Sequence, residues 1–247
     1  MRKFGRAASQ DAKIEIEIKL RVADAPRFLR QLAPLKAKVT HGRVHEMNTL
    51  YDTPDANLAR HGRMLRLRVE RPAGRASEAE KERKTARQNP GISALLTFKG
   101  PAKGAKAGGQ GRYKVREEHE LRVSDHEGLS KILEALGLRP WFRYEKFRTT
   151  FKLPGLSGVK LMLDETPIGA FVELEGEREE IDRASELLGF ARSDYIAKSY
   201  GALFMEKHGL SARASQNEPV PFSGVPDMVF PLQIDRKSRT LAARAGA

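Results

Sequence analysis

Apolar and polar residues alternate strictly from Ile14 to Val22, a period of two that predicts a strand carrying Glu15, Glu17, Lys19 and Arg21 on one face. The same period recurs along the chain. Leu65–Val69 sets Arg66 beside Arg68, and Ala94–Lys99 ends on Lys99 before Gly100-Pro101. Tyr113–Leu121 lines up Lys114, Arg116, Glu118 and Glu120. Tyr144–Phe151 pairs Lys146 with Arg148, opposite Phe147 and Phe151. Val159–Asp164 ends on Asp164, and Ala170–Glu175 sets Glu173 beside Glu175. With the weaker stretch Val44–Tyr51, eight strands are predicted.

A period near 3.6 appears between them. Asp24 is a candidate cap for a helix opening at Ala25-Pro26 and running to about Lys36, unless Pro34 ends it sooner. Asp125–Leu136 repeats Leu129, Ile132, Leu133 and Leu136 and stops at Gly137. Ile181–Phe190 and Ser193–Lys207, the latter with Ser193 as cap, complete the set. Strands in this number with few helices predict an α+β protein. If the apolar strand faces pack outward against helices, the polar faces line an eight-stranded antiparallel barrel, which is wide enough for one small ligand.

Composition narrows the chemistry. The absence of cysteine excludes a disulfide framework, thiol catalysis and thiolate zinc sites. No apolar run approaches the ~18 residues of a membrane helix. The start, MRKFGRAASQDAK, lacks the apolar stretch of a secretory signal, so a cytoplasmic protein without a membrane partner is expected. A net charge of +13 first suggests a nucleic-acid partner. The surplus lies entirely in residues 1–13, 71–93, 99–116 and 209–247, mostly rich in Gly, Ala, Pro and basic residues, and the remainder nets −1. A coherent DNA-binding face is therefore not expected. We divide the chain into a basic tail (1–12), one domain (13–208) with mobile insertions at about 71–92 and 101–112, and a Pro-rich, unpacked tail (209–247).

The balanced remainder carries the functional signal. Each Glu-x-Glu pair, Glu15/Glu17 and Glu173/Glu175, presents two carboxylates on one strand face, oxygen donors of the kind that Mg²⁺ or Mn²⁺ prefers. Arg66, Arg68 and Arg148 suit bidentate phosphate contact, with Lys19, Lys99 and Lys146 as point charges. Such an interior would be costly if it only paired with itself. It suits phosphoryl chemistry, in which metals and cations neutralise phosphate oxygens.

These residues resemble a known family. Glu15-Ile16-Glu17-Ile18-Lys19 is similar to the Glu-x-Glu-x-Lys signature of the CYTH superfamily, the triphosphate tunnel metalloenzymes, which includes class IV adenylyl cyclases, thiamine triphosphatases and inorganic triphosphatases. The similarity continues in order through Leu50-Tyr51-Asp52-Thr53-Pro54, Leu65-Arg66-Leu67-Arg68 and Thr97-Phe98-Lys99-Gly100-Pro101. It extends through Arg116–Glu120, Glu145-Lys146-Phe147-Arg148, Asp164–Gly176 and Lys198-Ser199-Tyr200. The resemblance implies a tunnel for a triphosphate-bearing small molecule, with Glu15, Glu17, Glu173 and Glu175 as ligands of Mg²⁺ or Mn²⁺. It implies phosphate contacts from Lys19, Arg66, Arg68, Lys99, Lys146, Arg148 and Lys198. Asp164 is then a ligand or a water-positioning group, and Glu118 and Glu120 orient water or metal.

Hydrolysis of inorganic, thiamine or nucleoside triphosphate is the expected activity. An adenylyl cyclase forming cyclic AMP and pyrophosphate is the nearest rival, and a non-catalytic binder of polyphosphate or nucleic acid is a rival of another class. Gly100–Ala107 falls short of a phosphate loop because Ala105 and Ala107 stand where Gly and Ser/Thr are needed. Gly108-Gly109-Gln110 reads as linker.

Overall fold

The computed structural model describes residues 13–73, 92–101, 111–210 and 226–231. The expected N-terminal tail and nearly all of both expected insertions lie outside the described residues. The strands are β1 (Lys13–Val22), β2 (Lys38–Asp52), β3 (Met64–Pro72), β4 (Ser93–Pro101), β5 (Lys114–Val123), β6 (Arg139–Lys152), β7 (Val159–Thr166) and β8 (Gly169–Gly176). All pairs are antiparallel and close in the order β1-β5-β4-β3-β2-β6-β7-β8. Closure pairs every strand with two neighbours over at least part of its length and gives every strand an inner and an outer face.

The period-two pattern explains which face is which. On the outer face Ile18, Leu20, Leu161, Leu163, Val172 and Leu174 form one apolar layer. Phe28 and Leu32 of α1 (Ala25–Leu32) and Ile181 and Ala184 of α4 (Arg178–Leu187) complete it. A smaller layer packs Leu133 of α3 (His126–Ala135) over Tyr51 and Leu67. A third cluster, including Phe142, Tyr144, Phe171 and Met228, joins Tyr200, Leu203 and Phe204 of α5 (Tyr200–Lys207) to the barrel. None of the described helices is long and apolar enough to cross a membrane.

Several boundaries differ from the sequence expectation. α1 stops at Leu32, just before Pro34. α4 begins three residues earlier than expected and ends three earlier. The single helix expected from Ser193 to Lys207 is a short 3₁₀ turn at Arg192–Asp194 followed by α5, capped by Ser199. The reason is tertiary: Ile196 and Lys19 exchange two backbone hydrogen bonds of 2.9 and 3.0 Å, which hold the intervening chain extended. Part of the C-terminal stretch expected to be unpacked is also packed. Met228 bridges to Tyr144 in parallel and is fully buried.

The Tyr51-Asp52-Thr53 motif has a structural explanation. Asp52, 2% exposed, accepts backbone N–H bonds from Thr53 (2.7 Å), Leu58 (2.8 Å) and Ala59 (2.9 Å). These bonds satisfy donors at the start of the one-turn helix α2 (Asn57–Arg60), which no periodicity announced. Asp52→Ala leaves those partly buried donors unpaired, so a loss of about 2 kcal/mol is expected in equilibrium denaturation. A change below about 0.5 kcal/mol would show that water replaces the carboxylate without cost.

Candidate functional site

Cross-strand register decides which charges meet inside the barrel. Glu17 lies opposite both Lys114 and Glu175, Lys19 opposite Glu173, and Lys99 opposite Glu118. Glu46 lies opposite Lys146, and Arg148 opposite Asp164. These side chains share the inner face because alternate residues of each strand point inward. They surround a cavity of about 450 Å³ lined by ten Lys or Arg side chains and eight Glu side chains. The excess of cations suits a polyanion rather than a neutral ligand.

Twelve of the fourteen residues expected in the site line this one cavity: Glu15, Glu17, Lys19, Arg66, Arg68, Lys99, Glu118, Glu120, Lys146, Arg148, Glu173 and Glu175. Asp164 sits behind the wall. It is fully buried and accepts from Arg148 Nε (2.6 Å), a terminal Arg148 nitrogen (2.6 Å), Lys146 Nζ (3.0 Å) and the Tyr200 hydroxyl (2.6 Å). With both oxygens engaged, it orients two cavity cations rather than facing the cavity itself. Lys198 is not brought to the cavity. The extended segment before α5 leaves it at the surface, bonded to Glu206 at 2.9 and 3.0 Å.

The carboxylates differ in their surroundings. Lys19 Nζ stands between Glu17 (2.8 Å) and Glu173 (3.3 Å), and Lys114 Nζ also reaches Glu17 at 2.6 Å. Burial opposes ionisation of Glu17, but Lys114, Lys19 and Lys99 outweigh it and hold the carboxyl well below its ordinary pKa. Glu15 bonds Lys99, yet burial and the neighbouring Glu17 charge raise its pKa. Glu175 lies nearer solvent, between Lys13 (2.7 Å) and Lys160 (3.2 Å). Lys99 also reaches Glu118 at 3.0 Å, while Glu120 accepts from Thr97 at 3.2 Å.

Several cavity residues escaped the sequence reading, Glu46, Tyr144 and Tyr200 among them. Glu46 is fully buried, with no hydrogen-bond partner for either carboxylate oxygen, 3.3 Å from Lys146, 3.6 Å from Arg148 and 3.8 Å from Arg68. Burial opposes its ionisation, but those cations and Arg66 lower its pKa to about 2. Its signal was the alternation Val44, Glu46, Asn48 in the weakest predicted strand. Tyr144 and Tyr200 reach the cavity from its base. Arg66 donates to the Tyr144 hydroxyl at 3.4 Å, and Lys19 and Lys146 lie 5.1 and 5.2 Å from the Tyr200 ring centroid.

A divalent cation fits the donor chemistry of the two Glu-x-Glu pairs, all of whose side-chain donors are oxygen. The ammonium of Lys19, held between Glu17 and Glu173 of neighbouring strands, marks a position where positive charge is already accommodated. Among the described residues, no three His, Asp or Glu groups converge tightly enough to cage an ion alone. Mg²⁺ usually takes one or two carboxylates and fills its shell with water and substrate phosphate.

Comparison with known proteins agrees with this geometry. A candidate adenylate cyclase from Vibrio parahaemolyticus has a similar structure, with a TM-score of 0.60 at 20% identity, the match covering 78% of this chain and 98% of that one. A protein from Pyrococcus horikoshii gives a TM-score of 0.57 at 23% identity, covering 78% and 99%. A Hippeastrum protein, described as a candidate adenylyl cyclase with a dominant triphosphatase activity, gives 0.50 at 20%, covering 78% and 96%. No curated protein sequence matches the chain. The CYTH domain model matches residues 13–200, the stretch that builds the barrel and its charged interior, and the chain belongs to that family.

Proposed function

We propose that this protein is a divalent-metal-dependent triphosphatase that hydrolyses the terminal phosphoanhydride of a triphosphate held inside the barrel. The observation that carries this reading is the cavity wall, on which the carboxylates of β1 and β8 stand among Lys and Arg side chains from most of the other strands. The triphosphatase activity named for the Hippeastrum protein supports it.

In this reading Glu15, Glu17, Glu173 and Glu175 hold Mg²⁺ or Mn²⁺, which when bound neutralises phosphate charge and favours the attacking water. Lys19 and Lys99, now paired with those carboxylates, turn toward phosphate oxygens as substrate enters. Arg66, Arg68, Lys146 and Arg148 hold the triphosphate chain, and Asp164 fixes Lys146 and Arg148 for that contact. Glu118 and Glu120 orient the water and take up its proton. The water oxygen bonds to the terminal phosphorus while the bond from that phosphorus to the bridging oxygen breaks. Inorganic triphosphate thereby yields phosphate and pyrophosphate.

The wall favours hydrolysis over cyclisation. Apart from Val44, Met64, Leu95 and Met162, the described lining is polar, and its two phenols, Tyr144 and Tyr200, have their hydroxyls engaged by Arg66 and Asp164. Among the described lining residues there is no Phe or Trp on which a nucleobase could stack.

Phosphate release from inorganic triphosphate, thiamine triphosphate and ATP, measured with Mg²⁺ and Mn²⁺ in parallel, tests the assignment. EDTA is expected to abolish release from the preferred substrate. Glu15→Gln with Glu17→Gln should slow release by about 100-fold or more, as removal of metal ligands does. Full metal-dependent activity in that double variant would refute the reading. With ATP, the expected products are ADP and phosphate; cyclic AMP with pyrophosphate would establish the cyclase instead.

A further inference from the structure

The short segment Pro226–Pro231 lies beyond the residues matched by the family model, yet it is bound to the barrel. β7 pairs with β6 only from Phe147 to Phe151, so the N-terminal half of β6 has β2 on one side and no β7 partner on the other. Met228 occupies that vacant side. Its N–H donates to the Arg143 carbonyl at 2.9 Å, and its carbonyl accepts from Glu145 N–H at 2.9 Å. The two bonds straddle Tyr144. Asp227 accepts from Arg143 N–H at 2.9 Å, and Phe230 packs on Phe147 with ring centroids 5.1 Å apart.

The contact is aimed at the cavity. Met228, 0% exposed, shares one apolar cluster with Tyr144 and Tyr200. The Tyr144 hydroxyl accepts from Arg66, and the Tyr200 hydroxyl donates to Asp164, which grips Lys146 and Arg148. Each phenol thus links the apolar base of the cavity to a cation on its wall. An aromatic side chain has few torsions, so fixing its backbone and one ring face largely fixes its hydroxyl.

From this chain of contacts we infer that residues 226–231 are a positioning element of the polyanion site: Met228 clamps Tyr144, and Tyr144 sets the guanidinium of Arg66. The inference rests on the reading of Arg66 as a phosphate contact. Met228 itself touches no substrate. It acts by preorganisation, sparing the ligand the cost of ordering Arg66 when it binds.

Binding of inorganic triphosphate to the full chain, followed by calorimetry without added metal, tests the inference. Met228→Ala is expected to weaken binding about tenfold and Met228→Leu less than about twofold, because leucine refills the same volume. Tyr144→Phe should weaken binding by a similar amount, and adding Met228→Ala to it should cost less than about twofold more, since both act through one hydroxyl. Independent, multiplying effects would show that Met228 serves general packing and would overturn the inference. So would wild-type affinity in a Met228→Ala chain with native circular dichroism. If Met228→Ala fails to fold, Asp227→Ala, which spares the buried cluster, should still weaken binding about threefold, and unchanged affinity there would overturn it. A wild-type chain that binds inorganic triphosphate neither alone nor with Mg²⁺ would remove the reading of Arg66 as a phosphate contact, and this inference with it. Wild-type binding that is indifferent to both Met228→Ala and Asp227→Ala would remove the inference alone.

Discussion

Taking a charge out of water is costly, and a closed barrel with a charged interior meets that cost at every inward position. The penalty is offset only when opposite charges lie within contact distance and their remaining valences are satisfied. Here register does this work. Glu46 faces Lys146, Glu173 faces Lys19, Glu118 faces Lys99 and Asp164 faces Arg148, each from a neighbouring strand. A slip of one residue in any of these pairings would send its charges outward and its apolar side chains inward. The outer apolar layers and the inner charged wall therefore depend on one another.

The same constraint explains why the interior is suited to a ligand. The wall carries more cations than carboxylates, and Glu46 is surrounded by positive groups without one hydrogen bond. Ion pairs made with imperfect geometry are poor partners to keep and good ones to exchange. A polyanion accompanied by a divalent cation offers each side of the wall a better partner: oxygen anions for the lysines and arginines, a hard cation for the glutamates. Asp164 differs. Its oxygens take four donors from three residues, which makes it part of the frame that holds the wall.

The base of the cavity shows how an apolar cluster supports a polar one. Phe142, Phe171, Phe204 and Met228 are all buried, and Tyr144 and Tyr200 have their rings in that cluster and their hydroxyls on Arg66 and Asp164. Rigid packing on one side of a phenol holds a hydrogen bond on the other. The C-terminal segment takes part through β6, whose upper edge β7 does not reach.

Most of the strands were legible from period-two alternation, because they are largely apolar outside and charged inside. That also placed Glu15 with Glu17, Arg66 with Arg68 and Glu173 with Glu175, which are neighbours on one strand face whatever the topology. Glu46 was not legible: its strand alternates weakly, and only the partners supplied by β3 and β6 mark it as a cavity residue. Lys198 shows the opposite case, a residue in the right motif that an extended segment leaves at the surface. The Ser193–Lys207 stretch has helical character throughout, yet a two-bond bridge to Lys19 keeps its first part extended. Met228 lies in a Pro-rich stretch without periodicity, and its place was decided by the edge of β6 at Tyr144, 84 residues earlier in the chain. By itself the sequence determined the strands, their inner faces and the chemistry those faces carry, since these follow from spacing along one strand. Which cation meets which carboxylate, and what closes the base of the cavity, was decided only by tertiary structure, because those contacts join residues that are distant in the chain.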